Sequence, residues 1–179
     1  MNTIETAALF IAAALLVGSI AVQVLSARRV RQSREALSPA VTGARRVSGR
    51  ALSTASWCFL TISIAARIAQ TGHGPFTSMF EFTVAFAWGV LGCALLFFRR
   101  YRSVGIGVGT GSIGLALIIA AIAMPSRPIP LVPALQQSLL LSVHVASAVL
   151  AYGAFAVAFA AALLLILRTS SDTNSEDIQ

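Results

Sequence analysis

The chain has 179 residues, of which 57% are hydrophobic and 11% charged, with a formal net charge of +7 and a mean hydropathy of +0.84. Soluble domains carry about a quarter charged residues, so this composition sets aside a soluble globular class and points to a membrane protein. The 13 basic residues are all arginines, gathered in short segments between apolar runs, which is a topology signal rather than a phosphate-tracking surface, so no nucleic-acid partner is expected.

The first apolar run extends from about Ala7 to Ala27. Glu5 precedes it and the arginines follow it, the reverse of a cleaved signal peptide, so it reads as a retained anchor. The next segment holds Arg28, Arg29, Arg31, Arg34, Arg45, Arg46 and Arg50, and its part from Ser33 to Gly49 reads as a short amphipathic helix on the membrane surface. Span two covers about Ala51 to Ala69, with Arg67 near its end.

A polar stretch, TGHGPFTSMFEF, then interrupts the apolar pattern from Thr71 to Phe82. Gly72 and Gly74 permit unusual backbone angles, Pro75 stops a helix, and Thr77 or Ser78 can cap the next one, which carries Glu81 in its first turn. Capping alone explains much of this stretch. Arg67 is close enough in depth to pair with Glu81. Span three covers about Phe80 to Phe98, and its Trp88 shares a face with Glu81, where it either packs or lines a pocket.

Arg99, Arg100 and Arg102 separate span three from span four, about Val104 to Met124. Span four opens VGIGVGTGSIG. No strand precedes these glycines, so a dinucleotide fingerprint is excluded and close helix approach is the expected reason for them. The following segment, PSRPIPLVPALQQS, is proline-rich and apolar, contains Arg127, and reads as a stiff surface loop. Span five covers about Ser138 to Leu167. Its His144 lies about two turns in and shares a face with Ser147, Ala148, Ala151 and Tyr152. An ionisable residue inside a membrane helix usually faces an interior or a cavity, so His144 is either a hydrogen-bonded packing residue or a ligand. Cys58 and Cys93 sit in different apolar runs without metal-ligand spacing and read as small buried hydrophobes.

These elements make an all-α fold, a polytopic bundle of five transmembrane helices over residues 1–168 followed by a polar tail, 169–179, expected to be disordered. If the arginine-rich segments face the cytoplasm, the N-terminus lies outside, the C-terminus inside, and His73, His144, Arg67, Arg127 and Glu81 gather at the outer side.

Two stretches resemble the cytochrome c assembly family of haem-handling membrane proteins, in its CcsA/ResC-like branch of system II synthases. GHGPFTSMFEFTVAFAWG, Gly72 to Gly89, resembles the family's G-H-x-P-x-[ST]-[NS]-[ML]-[YF]-E signature with its aromatic-rich helix. VPALQQSLLLSVHVASAVLAYGAFAVAFA, Val132 to Ala160, resembles its later V-P-A-L-Q-S segment followed by H-V-x-x-A-x-x-x-Y-G-A-F. The resemblance implies an integral protein of the cytoplasmic (inner) membrane or its equivalent. Such a protein binds or relays haem b at the outer face for attachment to apocytochrome c. His144 matches the position of an axial haem-iron ligand. Tyr152 falls in the same motif as a candidate pocket residue, and His73, Pro75, Glu81 and Trp88 match motif positions to which no role is carried over. Arg67 and Arg127 are candidates for haem propionate contacts on chemical grounds.

The family's W-G-x-x-W-x-W-D segment and its second flanking histidine are absent from the sequence, whose two tryptophans are Trp57 and Trp88. The chain therefore reads as the first half of such a protein, sharing its haem with a partner membrane subunit that supplies the tryptophan-rich part. It would then be part of a cytochrome c haem lyase and not catalytic alone. The alternative is a structural subunit of a respiratory or photosynthetic membrane complex without haem chemistry.

Overall fold

Five apolar runs with few interior breakers give five long helices, because a bilayer core leaves each backbone polar group to be satisfied within its own segment. The computed structural model describes residues 3–32, 39–74, 77–101, 103–126 and 139–176. They form α1 (Thr3–Gln32), α2 (Pro39–Thr71), α3 (Met79–Arg100), α4 (Val104–Ala123) and α5 (Leu139–Glu176). No strand occurs among the described residues. All five helices contain a stretch long and apolar enough to cross a membrane, and the chain is an integral membrane protein.

Local chemistry sets the helix ends. α2 stops at Thr71, where Gly72 takes a positive φ of 73° and its N–H donates to the Ile68 carbonyl, a left-handed C-terminal cap that suits glycine. α3 starts at the N-cap Ser78, whose hydroxyl accepts from the Glu81 N–H. It ends with Arg99 and Arg100 in its last turn, where cations are favoured. Arg50 of α2 also donates to the Phe98 carbonyl there, at 2.5 Å.

Two boundaries differ from the sequence reading. The surface helix expected within Ser33 to Gly49 is, from Pro39 onward, the first part of α2 itself, continuous with the span. The tail expected to be disordered from Thr169 is helical as far as Glu176, since no proline or glycine follows Leu167 to stop α5.

α3 is central and packs on α2, α4 and α5, while α1 packs on α2 and α4. The most apolar part of α3 is 56% buried and that of α5 only 22%, so α5 is peripheral and most of its surface is left for lipid or another chain. One core cluster joins the first four helices through Leu9, Leu16, Leu60, Phe80, Leu91 and Ile118. A smaller one joins α3, α4 and α5 through Ala94, Phe98, Ile106 and Val157.

Small residues set the close approaches, as expected where helices associate in lipid. Ser19 of α1 bonds to the Gly49 carbonyl and to the Ser53 hydroxyl of α2, each at 2.8 Å, and Ser56 donates to the Ala12 carbonyl. A Cβ on Gly111 would meet Ile20 of α1 at 3.2 Å and one on Gly114 would meet Leu91 of α3 at 3.0 Å, so the span-four glycines do serve close packing. α3 and α5 cross backbone to backbone, where a Cβ on Gly153 would lie 2.6 Å from the Gly89 carbonyl oxygen. Of the cysteines, Cys93 is half-buried but Cys58 is exposed on the outside of α2, contrary to the expectation of burial, because small apolar side chains are equally at home against lipid.

Candidate functional site

The outer-loop motif builds a buried charge cluster. Arg67, near the C-terminal end of α2, is 2% exposed and Glu81, in the first turn of α3, is 1% exposed. The Arg67 Nε donates to Glu81 Oε1 at 2.9 Å, the pairing anticipated from the sequence. The other carboxylate oxygen, Oε2, accepts from the Thr77 N–H at 2.9 Å and from its hydroxyl at 2.6 Å. With the Ser78 hydroxyl accepting from the Glu81 N–H, this is a capping box shifted by one residue. The Arg67 Nη1 donates to the Ser126 carbonyl just past α4, and the guanidinium lies 5.4 Å from the Phe80 ring centre.

Glu5 of α1 completes the cluster. It is fully buried, and its Oε1 is 3.6 Å from Arg67 Nη1. Neither of its oxygens, nor Arg67 Nη2, has a hydrogen-bond partner among the described residues. A small cavity is lined by Glu5, Ser63, Arg67 and Glu81. In the sequence Glu5 is only a charge ahead of the first span. Its signal is an acid at the same expected depth as Arg67 and Glu81, but only packing of α1 against α2 brings it to them.

His144 lies elsewhere. α5 runs parallel to α3, with Val149 against Gly89 and Val157 in the cluster with Phe98, so His144 falls in the same half of the bundle as Glu81. At 3.6 residues per turn it is about 180° around α5 from Gly153, the residue in contact with α3. It is accordingly exposed, together with Leu140, Val143, Ser147 and Ala151. No hydrogen bond to its imidazole occurs among the described residues, the Ser147 hydroxyl donating instead to the His144 backbone carbonyl.

The remaining candidates divide similarly. Tyr152 is 60% exposed and belongs to a row of aromatic rings. Phe82 stacks at 6.5 Å on Phe86, which meets Tyr152 edge-on at 5.3 Å, and Tyr152 meets Phe155 edge-on at 6.5 Å. Phe82, Phe86 and Phe155 were not singled out in the sequence, since aromatic residues on an apolar helix carry no signal until two helices align them. Trp88 packs: its indole stacks on Trp57 at 5.3 Å and its N–H donates to the Thr61 hydroxyl at 2.9 Å. His73 is half-buried, with Nδ1 2.9 Å from the Gly74 carbonyl oxygen. Pro75 and Arg127 lie outside the described residues. The fold thus joins Arg67 with Glu81 and Glu5, but sets His144 and Tyr152 on a separate, outward surface. Among the described residues no group of three or more His, Cys, Asp or Glu side chains could hold a metal ion.

Comparison with known proteins agrees with the motif resemblance. The chain is 34% identical over 116 residues to the cytochrome c biogenesis protein CcsA of Synechococcus sp. (strain JA-3-3Ab), covering 62% of this chain and 33% of that protein. It is 28% identical over 135 residues to CcsA of Crocosphaera subtropica, covering 73% of this chain and 40% of the relative. It is 24% identical over 112 residues to the protein HemX of Brevibacillus brevis, covering 63% and 41%. The chain thus spans a third to two fifths of the length of these curated relatives. No protein-family profile and no solved structure matches it.

Proposed function

We propose, from a chain that is CcsA-like over about two thirds of its length, that this protein serves c-type cytochrome biogenesis by holding or relaying haem in concert with a partner membrane protein. The observation that carries this reading is His144, an imidazole exposed on the face of a membrane helix opposite that helix's contact with α3. A polar ring exposed to lipid is costly, so that face calls for a cover. A second protein that brings another haem ligand would provide it.

In this arrangement the His144 imidazole would hold the haem iron, and the bound haem would be the group attached to apocytochrome c. Ser147 and Ala151, one and two turns on, leave the helix surface low enough for a flat macrocycle. The Phe86–Tyr152–Phe155 row offers ring edges and faces beside it. Arg67 is committed to Glu81 and the Ser126 carbonyl, so its part is to hold the outer ends of α2, α3 and α4 together, while propionate contacts fall to Arg127. The arginine-rich ends of α1 and α3, and Arg168 on α5, face the cytoplasm, which sets His144 and the charge cluster toward the outer surface.

Protein isolated in mild detergent with its native partners is expected to show a haem absorption band that His144→Gly removes and added imidazole restores. A band unchanged by His144→Gly rules out the ligand role. A partner complex that persists without any haem band, and without a cytochrome defect on deletion, supports the structural-subunit reading instead. The orientation has its own test. In a variant free of Cys58 and Cys93, Ser126→Cys is expected to react with a membrane-impermeant thiol reagent from the outside of intact cells, and labelling only from the cytoplasmic side would invert the bundle.

A further inference from the structure

The opposite half of the bundle carries a separate feature. α1 and α5 both pack on α4, with little contact between themselves, and leave an open groove of about 1120 Å³ over the α4 surface. Its length is apolar: Val24 of α1, Val108 and Ile113 of α4, and Phe159 and Leu163 of α5 line it. The one hydroxyl away from the arginine end, Ser112, already donates to the Val108 carbonyl at 2.9 Å. Polarity is confined to one end, where Arg28 from α1 and Arg168 from α5 stand on either side of Ser103. Both arginines are exposed, and neither meets an acid among the described residues.

A groove with an apolar length and two guanidinium groups at one mouth, neither paired with an acid among the described residues, matches an amphiphile with an anionic head. Its volume exceeds the roughly 300–1,000 Å³ of pockets for small drug-like ligands. The arginines sit at the membrane boundary, where each guanidinium attracts anionic lipid. We propose that the α1–α4–α5 groove is a specific site for an anionic phospholipid, its phosphate held between Arg28 and Arg168 and an acyl chain lying along Val108 and Phe159. The site lies in the half of the bundle away from the Arg67–Glu81 cluster and does not depend on the haem reading.

Native mass spectrometry of the full chain, released from mild detergent with phosphatidylglycerol or phosphatidylcholine of identical acyl chains, tests this. One phosphatidylglycerol is expected to be retained about tenfold more strongly than phosphatidylcholine, and Arg28→Gln with Arg168→Gln is expected to abolish that preference. Arg99→Gln with Arg100→Gln removes the same charge from outside the groove and is expected to preserve it. Val108→Trp, which fills the groove without touching charge, is expected to weaken retention of both lipids. Equal retention of the two lipids by the native chain overturns the site, as does an equal loss in the Arg99/Arg100 variant, which would leave only diffuse attraction to a basic belt. Stoichiometric displacement of the lipid by added haem would assign the groove to haem instead.

Discussion

Arg67→Leu is expected to destabilise the protein by about 3–5 kcal/mol, the cost of breaking a buried ion pair from one side. Glu81 would keep its bonds to Thr77 but lose its counter-charge, and Glu5, already without hydrogen bonds among the described residues, would lose the cation 3.6 Å from it. The loss is read as a lowered apparent melting temperature in detergent, with faster proteolysis of the segment after α4, whose Ser126 carbonyl Arg67 holds. The charge argument makes a second demand. Arg67→Met combined with Glu5→Gln and Glu81→Gln removes all three charges at similar volume and is expected to recover most of the stability, because a buried ion cluster is often near-neutral against an uncharged replacement. A triple variant as unstable as Arg67→Leu would show that packing of the guanidinium over Phe80 matters more than its charge. Arg67→Lys is expected to fall between, since an ammonium cannot reach Glu81 and Ser126 from the fork geometry that arginine uses.

Gly153→Val is the second large effect. Even a Cβ here would approach the Gly89 carbonyl oxygen to 2.6 Å and the Cys93 sulfur to 2.9 Å. The first of these is backbone, so α5 must move off α3 rather than let a side chain turn aside. Overpacking in a close-packed interior costs about 1–3 kcal/mol, and the upper end or beyond is expected where the obstacle is a helix backbone. The consequence for function is specific. α5 carries His144 and the Tyr152 ring that meets Phe86, so displacing α5 moves both relative to α3. Loss of the haem band together with lower stability is expected for Gly153→Val. Gly18→Ala is the control: its nearest neighbour, Leu52 Cδ1, would be 3.8 Å away, so the extra methyl fits and the melting temperature is expected to stay unchanged or rise slightly. An unaffected Gly153→Val protein would mean that α3 and α5 are not held at this crossing.

The spans and the Arg67–Glu81 pair were legible in the sequence for a common reason. In so apolar a chain each ionisable residue is conspicuous, and helical rise alone puts the end of α2 and the start of α3 at one depth. Glu5 escaped because an acid five residues from the start reads as a solvated terminus until α1 is packed beside α2. The direction in which His144 points escaped for a different reason. α5 is apolar all round, and its two faces are alike: Ser147, Ala148 and Ala151 are as small on the histidine side as Gly153 and Ala160 are on the other. An amphipathic pattern that would orient such a helix is missing, because lipid and protein interior are both apolar.

What the sequence determined by itself is the number of helices, their order, and the end of the bundle at which the charges collect, since run length and arginine placement depend on transfer from water to hydrocarbon and not on neighbours. Only the tertiary structure decided that Glu5 joins Arg67 and Glu81 and that His144 faces outward. Helix rotation in lipid is set by steric fit, and here the fit is the Gly89–Gly153 crossing, which leaves α5 one way to lie against α3 and so turns its histidine away from the bundle.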